Sequence, residues 1–137
     1  MNIPIYLASK SPRRREILSR VGIDFQIVDR EPFDDSKMDK VSPSEYAETI
    51  ASLKAKNAIV PSNDNGIVLG FDTIVFIDGK ILGKPNDEME ARKFLRTLSG
   101  RWHTVFTGVA GIDLSSGKLV SSVESTGVLF SELSDDE

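Results

Sequence analysis

The chain has 137 residues, 39% of them hydrophobic and 28% charged, with a formal net charge of −4 and no cysteine. That length amounts to one domain with room for a core, so a single domain over residues 1–137 is expected. The missing cysteine excludes a disulfide framework, a zinc–thiolate site and a cysteine nucleophile, and the negative balance argues against broad nucleic-acid binding.

Ile3 to Ala8 reads as a short buried strand that starts without the basic region of a signal peptide. No apolar run approaches the roughly 20 residues that cross a bilayer, so a cytoplasmic protein with no membrane partner is expected. Ser11-Pro12 opens a helix that Gly22 ends. Phe25 to Val28 is a second strand, and the acidic stretch Asp29 to Lys40 is loop. Ser42-Pro43-Ser44-Glu45 is a capping box, and Tyr46, Ala47, Ile50, Ala51, Lys54 and Ala58 follow near helical spacing. A strand then runs from Gly66 past Asp72 to Ile77, and Asp78-Gly79 turns it into Lys80-Ile81-Leu82. Asp87 to Leu98 is helical, with Ala91, Phe94, Leu95 and Leu98 as its apolar stripe and Gly100 as its stop. His103 to Ile112 and Leu119 to Phe130 are long strands joined through Ser115-Ser116-Gly117. Strands interleaved with helices predict an α/β fold with a mixed sheet flanked by helices. Ser134-Asp135-Asp136-Glu137 is a second capping box with no helix after it, read either as an acidic tail or as a chain that stops early.

The segment from Leu7 to Leu18 carries the strongest local signal. Arg13, Arg14 and Arg15 crowd the first turn of a helix, where the dipole prefers negative charge. An anion would resolve that conflict, because backbone N–H groups, Ser9, Ser11 and the arginine forks would converge on phosphate oxygens. A solvated basic turn is the alternative. Asp72 closes the apolar run Ile67 to Phe71, a costly place for a carboxylate unless it is paired or metal-bound. Lys54 lies on the apolar side of its helix, either as an inward cation or as a snorkelling one. Lys84 follows the hairpin and Arg101 follows a helix stop, and each is either a site residue or plain surface. Asp34 and Asp35 are candidate metal ligands or ordinary solvated acids. His103, the only histidine, reads as packed rather than catalytic.

In order and spacing these pieces resemble a known family. Leu7-Ala8-Ser9-Lys10-Ser11-Pro12-Arg13-Arg14-Arg15-Glu16-Ile17-Leu18 is similar to the opening motif of the Maf-like nucleoside-triphosphate pyrophosphatases. Gly70-Phe71-Asp72-Thr73, Ile81-Leu82-Gly83-Lys84-Pro85 and Leu98-Ser99-Gly100-Arg101-Trp102-His103-Thr104-Val105 resemble three further motifs of that family, and Lys54 falls where it keeps a helical lysine. The resemblance implies a two-lobed architecture with a central cleft, related to inosine-triphosphate pyrophosphatases and commonly dimeric. It implies that a nucleoside triphosphate is cut to the monophosphate and pyrophosphate with Mg²⁺ or Mn²⁺.

On that resemblance, Ser9, Ser11, Arg13, Arg14, Thr73 and Arg101 would bind substrate. Lys54 and Lys84 would neutralise developing charge, and Asp72 would act as base or metal ligand with Asp34 or Asp35 assisting the metal. The Asp-Thr pair at 72–73 resembles the branch acting on dTTP and UTP. Two departures stand out: Phe33 occupies the place of a family glutamate, and Phe71 replaces a small residue before the aspartate. Family proteins also run on through Asp-Lys-Ala-Gly and Gly-Ile-Gln-Gly motifs absent here, so the resemblance implies a C-terminally truncated chain. The family's link to septum formation implies an alternative, a catalytically impaired nucleotide-binding regulator of cell division.

Overall fold

Nine elements follow one another in the order β1 (Ile5–Leu7), α1 (Pro12–Arg20), β2 (Gln26–Ile27), α2 (Pro43–Lys56), β3 (Ile67–Ile77), β4 (Lys80–Leu82), α3 (Glu88–Leu98), β5 (Trp102–Asp113) and β6 (Leu119–Leu129). The computed structural model describes residues 3–8, 12–22, 24–33, 41–61, 65–82 and 87–131, with backbone only at 12–14.

One six-stranded sheet holds every strand, ordered β2-β1-β3-β5-β6, with β4 also paired to β3. It is mixed, as the interleaved pattern predicts. β1 is parallel to both β2 and β3, while β4 and β5 run antiparallel to β3. The 11-residue β3 is the axis of the fold. One edge of it pairs along most of its length with β5, from Ile67↔Asp113 to Phe76↔Thr104. The other edge is shared between two short strands. β1 covers Ile67 to Leu69, and β4 covers Val75 to Ile77. Gly70 to Ile74 therefore have no strand partner on that side among the described residues.

α2 lies across β3 and β5 and contributes Ala47, Ile50, Ala51 and Ala55 to the core. Ser42 caps it as its sequence predicts, the hydroxyl accepting from the Glu45 N–H at 3.2 Å, with Pro43 in the first turn. Replacing Ser42 with alanine should cost about 1 kcal/mol, visible as a drop of roughly 3 °C in Tm. An unchanged melt would show that the cap contributes nothing.

Ala47, Ala51 and Ala55, four positions apart, form the face of α2 turned to the sheet and are all buried. They meet glycines. A Cβ added to Gly70 would strike the backbone oxygen of Ala51 and lie 2.9 Å from the Ala55 nitrogen. One added to Gly108 would strike the Ala47 carbonyl. Small residue against glycine brings helix backbone and sheet backbone into direct contact. Tyr6, Ala8, Val28, Val68 and Ala110 complete the cluster.

α3 is different. Its predicted apolar stripe exists, yet only Leu98 is buried, and Leu95 is 37% exposed. Periodicity reports the amphipathic face but not what covers it. At the other end of β3, the predicted turn forms with Asp78 at φ 55° and Gly79 at φ 73°, both left-handed as a two-residue hairpin loop requires.

Candidate active site

The interruption on the free edge of β3 positions the site. β1 runs toward it from one end: Leu7 pairs with Leu69, and the Ala8 N–H donates to the Leu69 carbonyl at 3.0 Å. β4 runs toward it from the other end and stops at Leu82, opposite Val75. Among the described residues, β1 and β4 thus leave a gap between them on this edge, from Gly70 to Ile74. Asp72 sits in the middle of that gap. In α/β sheets, ligands collect where neighbouring strands part in this way.

Side chains alternate along β3, so Gly70 and Asp72 face α2, while Phe71 and Thr73 point to the opposite face. The glycine contact at Gly70 holds α2 close enough for Lys54 to reach down to the strand. Its ammonium donates to Asp72 Oδ1 at 3.2 Å and to the Phe71 carbonyl at 3.1 Å. Both side chains are largely shielded, at 21% and 14% exposure. Lys54 is therefore an inward cation rather than a snorkelling one. β3 continues past Asp72 to Ile77, as its sequence suggests, because β4 and β5 both pair beyond it. Behind it, Thr73 Oγ1 lies 3.4 Å from Thr107 Oγ1, its register partner on β5.

Arg101 stands elsewhere. One guanidinium nitrogen pairs with Asp78 at the β3–β4 turn, and the other donates to the Thr97 carbonyl at 3.2 Å. Asp78 lies six residues beyond Asp72, roughly 20 Å along a strand. The described residues thus bring Lys54, Asp72 and Thr73 together and leave Arg101 at the far end of β3. The hydrogen bond from Arg101 holds the Asp78 carboxyl below the ordinary carboxylate range, and Asp78 in turn raises Arg101. Because the Asp78 pKa is depressed, the pair is complete at neutral pH and is lost only as pH falls through the lowered value.

Arg13 and Arg14 belong to the first turn of α1, which contains no acidic residue. Ser9, Ser11, Asp34, Asp35 and Lys84 lie outside the described residues. Phe33, in the place of the family glutamate, has the Arg30 guanidinium over its ring at 5.4 Å. His103 is buried as predicted and stacks edge-on against Phe130 at 4.9 Å.

Sequence reasoning missed the Phe71 carbonyl as a lysine acceptor, Thr107 as the neighbour of Thr73, and Asp78 as the partner of Arg101. Only the Asp-Gly turn signal touched any of these. A broad cavity of about 990 Å³ along α3 has walls of Asp87, Glu88, Met89, Arg92, Lys93 and Arg96. Neither Lys54 nor Asp72 lines it. Among the described residues no helix is long and apolar enough to cross a membrane.

A mixed sheet flanked by helices, with a shielded lysine–carboxylate pair between α2 and β3, defines the class as an α/β protein. The fold matches that of a HAM1 protein from Coxiella burnetii, with a TM-score of 0.55 at 16% identity, covering 92% of this chain and 72% of that one. The chain belongs to the Maf-like family, whose model, described as "Maf-like protein", matches residues 4–137. It is 43% identical over 135 residues to a dTTP/UTP pyrophosphatase of Thermoanaerobacter sp. (strain X514), covering 97% of this chain and 69% of that protein. A dTTP/UTP pyrophosphatase of Pseudoalteromonas translucida (strain TAC 125) is 42% identical over 137 residues, covering 100% of this chain and 71% of the relative.

Proposed function

We propose that the chain is a nucleoside-triphosphate pyrophosphatase acting on dTTP and UTP. Water attacks the α-phosphorus, the bond to the bridging oxygen of the α–β anhydride breaks, and the products are the nucleoside monophosphate and pyrophosphate. The single observation that carries this reading is the Lys54–Asp72 pair, shielded in the gap of β3. A triphosphate there would meet a cation and a carboxylate already fixed in place, so little reorganisation is needed as charge develops.

Asp72 serves as the base or orienting group for the attacking water. Lys54 holds that carboxylate in position and neutralises charge on the phosphoryl oxygens. Thr73 contacts the nucleotide from the opposite face of the strand. Ser9, Ser11, Arg13 and Arg14 take the β- and γ-phosphates, and Lys84 assists from the segment after β4.

A hard divalent ion suits this set. Among the described residues no group of three or more His, Cys, Asp or Glu side chains could hold a metal alone. One carboxylate completed by substrate phosphates and water is nonetheless a usual Mg²⁺ arrangement, and Mn²⁺ accepts the same oxygen donors. Asp72 would hold the ion with help from Asp34 or Asp35, and the ion would supply charge neutralisation at the phosphates. Nothing among the described residues favours the regulatory alternative.

The direct test is pyrophosphate release from a panel of nucleoside triphosphates with Mg²⁺ or Mn²⁺, where dTTP and UTP should turn over fastest. Absence of release from every triphosphate would sink the reading. Within the active panel, Lys54→Met should lower kcat about 100-fold by removing a preorganised cation. Full turnover in that variant would remove Lys54 from the mechanism.

A further inference from the structure

The register of β3 on β5 sorts their side chains between two faces of the sheet. Gly108 lies against Ala47 of α2, so Gly108 and its partner Asp72 belong to the helix side. Their chain neighbours Thr107 and Thr73 are partners on the other side. The adjacent pair on that side is Phe71 with Val109, both half-buried. Next to Asp72, on the opposite face, the sheet therefore carries a hydroxyl pair bordered by an apolar pair.

Thr73 is exposed, Thr107 is half-buried, and their Oγ1 atoms lie 3.4 Å apart. A hydroxyl has one proton and two lone pairs, so the direction of this contact fixes what Thr73 presents outward. When Thr107 donates, Thr73 keeps its own proton for an outside acceptor. When Thr73 donates, it offers lone pairs alone. The contact is at the long end of the O–H···O range, and an acceptor bound to Thr73 would polarise and strengthen it.

The chemistry of dTTP and UTP chooses between these directions. The two differ in the sugar hydroxyl and in one methyl group on the base, so a site that takes both reads something else. They share the ring carbonyl O4, an acceptor, where cytosine carries an amino donor. A hydroxyl held as a donor suits the carbonyl and opposes the amino group. Phe71 and Val109 add apolar surface for the ring, the usual complement to a few placed polar groups.

We propose that Thr107 is a specificity-determining positioning residue. It donates to Thr73 Oγ1, so that Thr73 donates to the O4 carbonyl of a thymine or uracil lying over Phe71 and Val109. This rests on the pyrophosphatase reading above and adds how the base is chosen. Thr107 acts through Thr73 and does not touch the nucleotide.

The test is kcat/KM for UTP divided by kcat/KM for CTP, measured with Mg²⁺. The variants are Thr107→Val, Thr107→Ser, Thr73→Val and the double Thr73→Val/Thr107→Val. The unsubstituted chain should favour UTP. Thr107→Val keeps the branched shape but lets the Thr73 hydroxyl turn, so the preference should fall about 10-fold. Its kcat on UTP should change only a few-fold. Thr107→Ser should keep the preference. Thr73→Val should lose at least as much as Thr107→Val, and the double variant no more than Thr73→Val, because all break one chain of hydrogen bonds. The Tm of Thr107→Val should stay within about 4 °C of the unsubstituted chain, since a cross-strand threonine pair adds little stability.

A preference that survives Thr107→Val but is lost in Thr73→Val would overturn the role of Thr107. Equal losses in Thr107→Ser and Thr107→Val would do the same, because serine keeps the hydroxyl. An unsubstituted chain that favours CTP would overturn the direction of the bond and the proposal with it. Should that chain release no pyrophosphate from any triphosphate, the pyrophosphatase reading fails. The ratio of Kd values for UTP and CTP, from calorimetric titration of the same variants, then still decides whether Thr107 sets the choice of base.

Discussion

An Asp72→Asn chain is expected to release pyrophosphate about 1,000-fold more slowly than the unsubstituted chain while still binding nucleotide. The substitution keeps the shape of the side chain and an oxygen for Lys54, so the contact at 3.2 Å can persist in weakened form. What it removes is the ability to take a proton from water and to hold a divalent ion strongly. The expected loss therefore falls on kcat, with KM changing only a few-fold. Stability should fall by about 1–2 kcal/mol, since a largely shielded ammonium loses its charged partner but keeps the Phe71 carbonyl. Steady-state pyrophosphate release and a thermal melt measure the two effects separately. Undiminished release would take Asp72 out of the chemistry whatever the melt showed.

Much of this was legible from residues because the signals are local. The capping box at Ser42 and the Asp78-Gly79 turn each depend on neighbours a few positions away. The free edge of β3 was not legible in that way. It arises because two short strands, separated by more than 70 positions, share one edge of β3 and, among the described residues, leave its centre open. No single segment encodes that gap. The same holds for Lys54. Helical spacing put it on the apolar side of α2, but only the register of α2 on β3 decides between an ammonium that reaches inward and one that escapes to water. For Arg101 the motif named the residue but not its neighbour, an acidic turn residue 23 positions earlier that only the fold brings to its guanidinium. Ser9, Ser11, Asp34, Asp35 and Lys84, candidates on both the local pattern and the family resemblance, lie outside the described residues.

A Gly70→Ala chain should be destabilised by about 3 kcal/mol, lowering Tm by roughly 10 °C, and should lose activity out of proportion to the added methyl group. The added Cβ would meet the Ala51 carbonyl oxygen and the Ala55 nitrogen, both backbone atoms of α2, so no side-chain rotation relieves the clash. The helix must lift or the strand must bend. Gly70 and Ala55 are sequence neighbours of Phe71 and Lys54, so either movement acts directly on the two bonds that Lys54 makes across the interface. Gly108→Ala offers the control. It produces a comparable clash against Ala47, about one helical turn before Ala51, and should cost similar stability with a smaller loss of turnover. The discriminating quantity is kcat measured well below each variant's melting temperature. Equal loss in the two variants would mean that general loosening of α2 is responsible. Greater loss at Gly70 would mean that the close approach of helix and strand sets the position of Lys54 over Asp72. A Gly70→Ala melt within about 2 °C of the unsubstituted chain would instead show that the interface relaxes freely, and the dependence of the site on that packing would be lost.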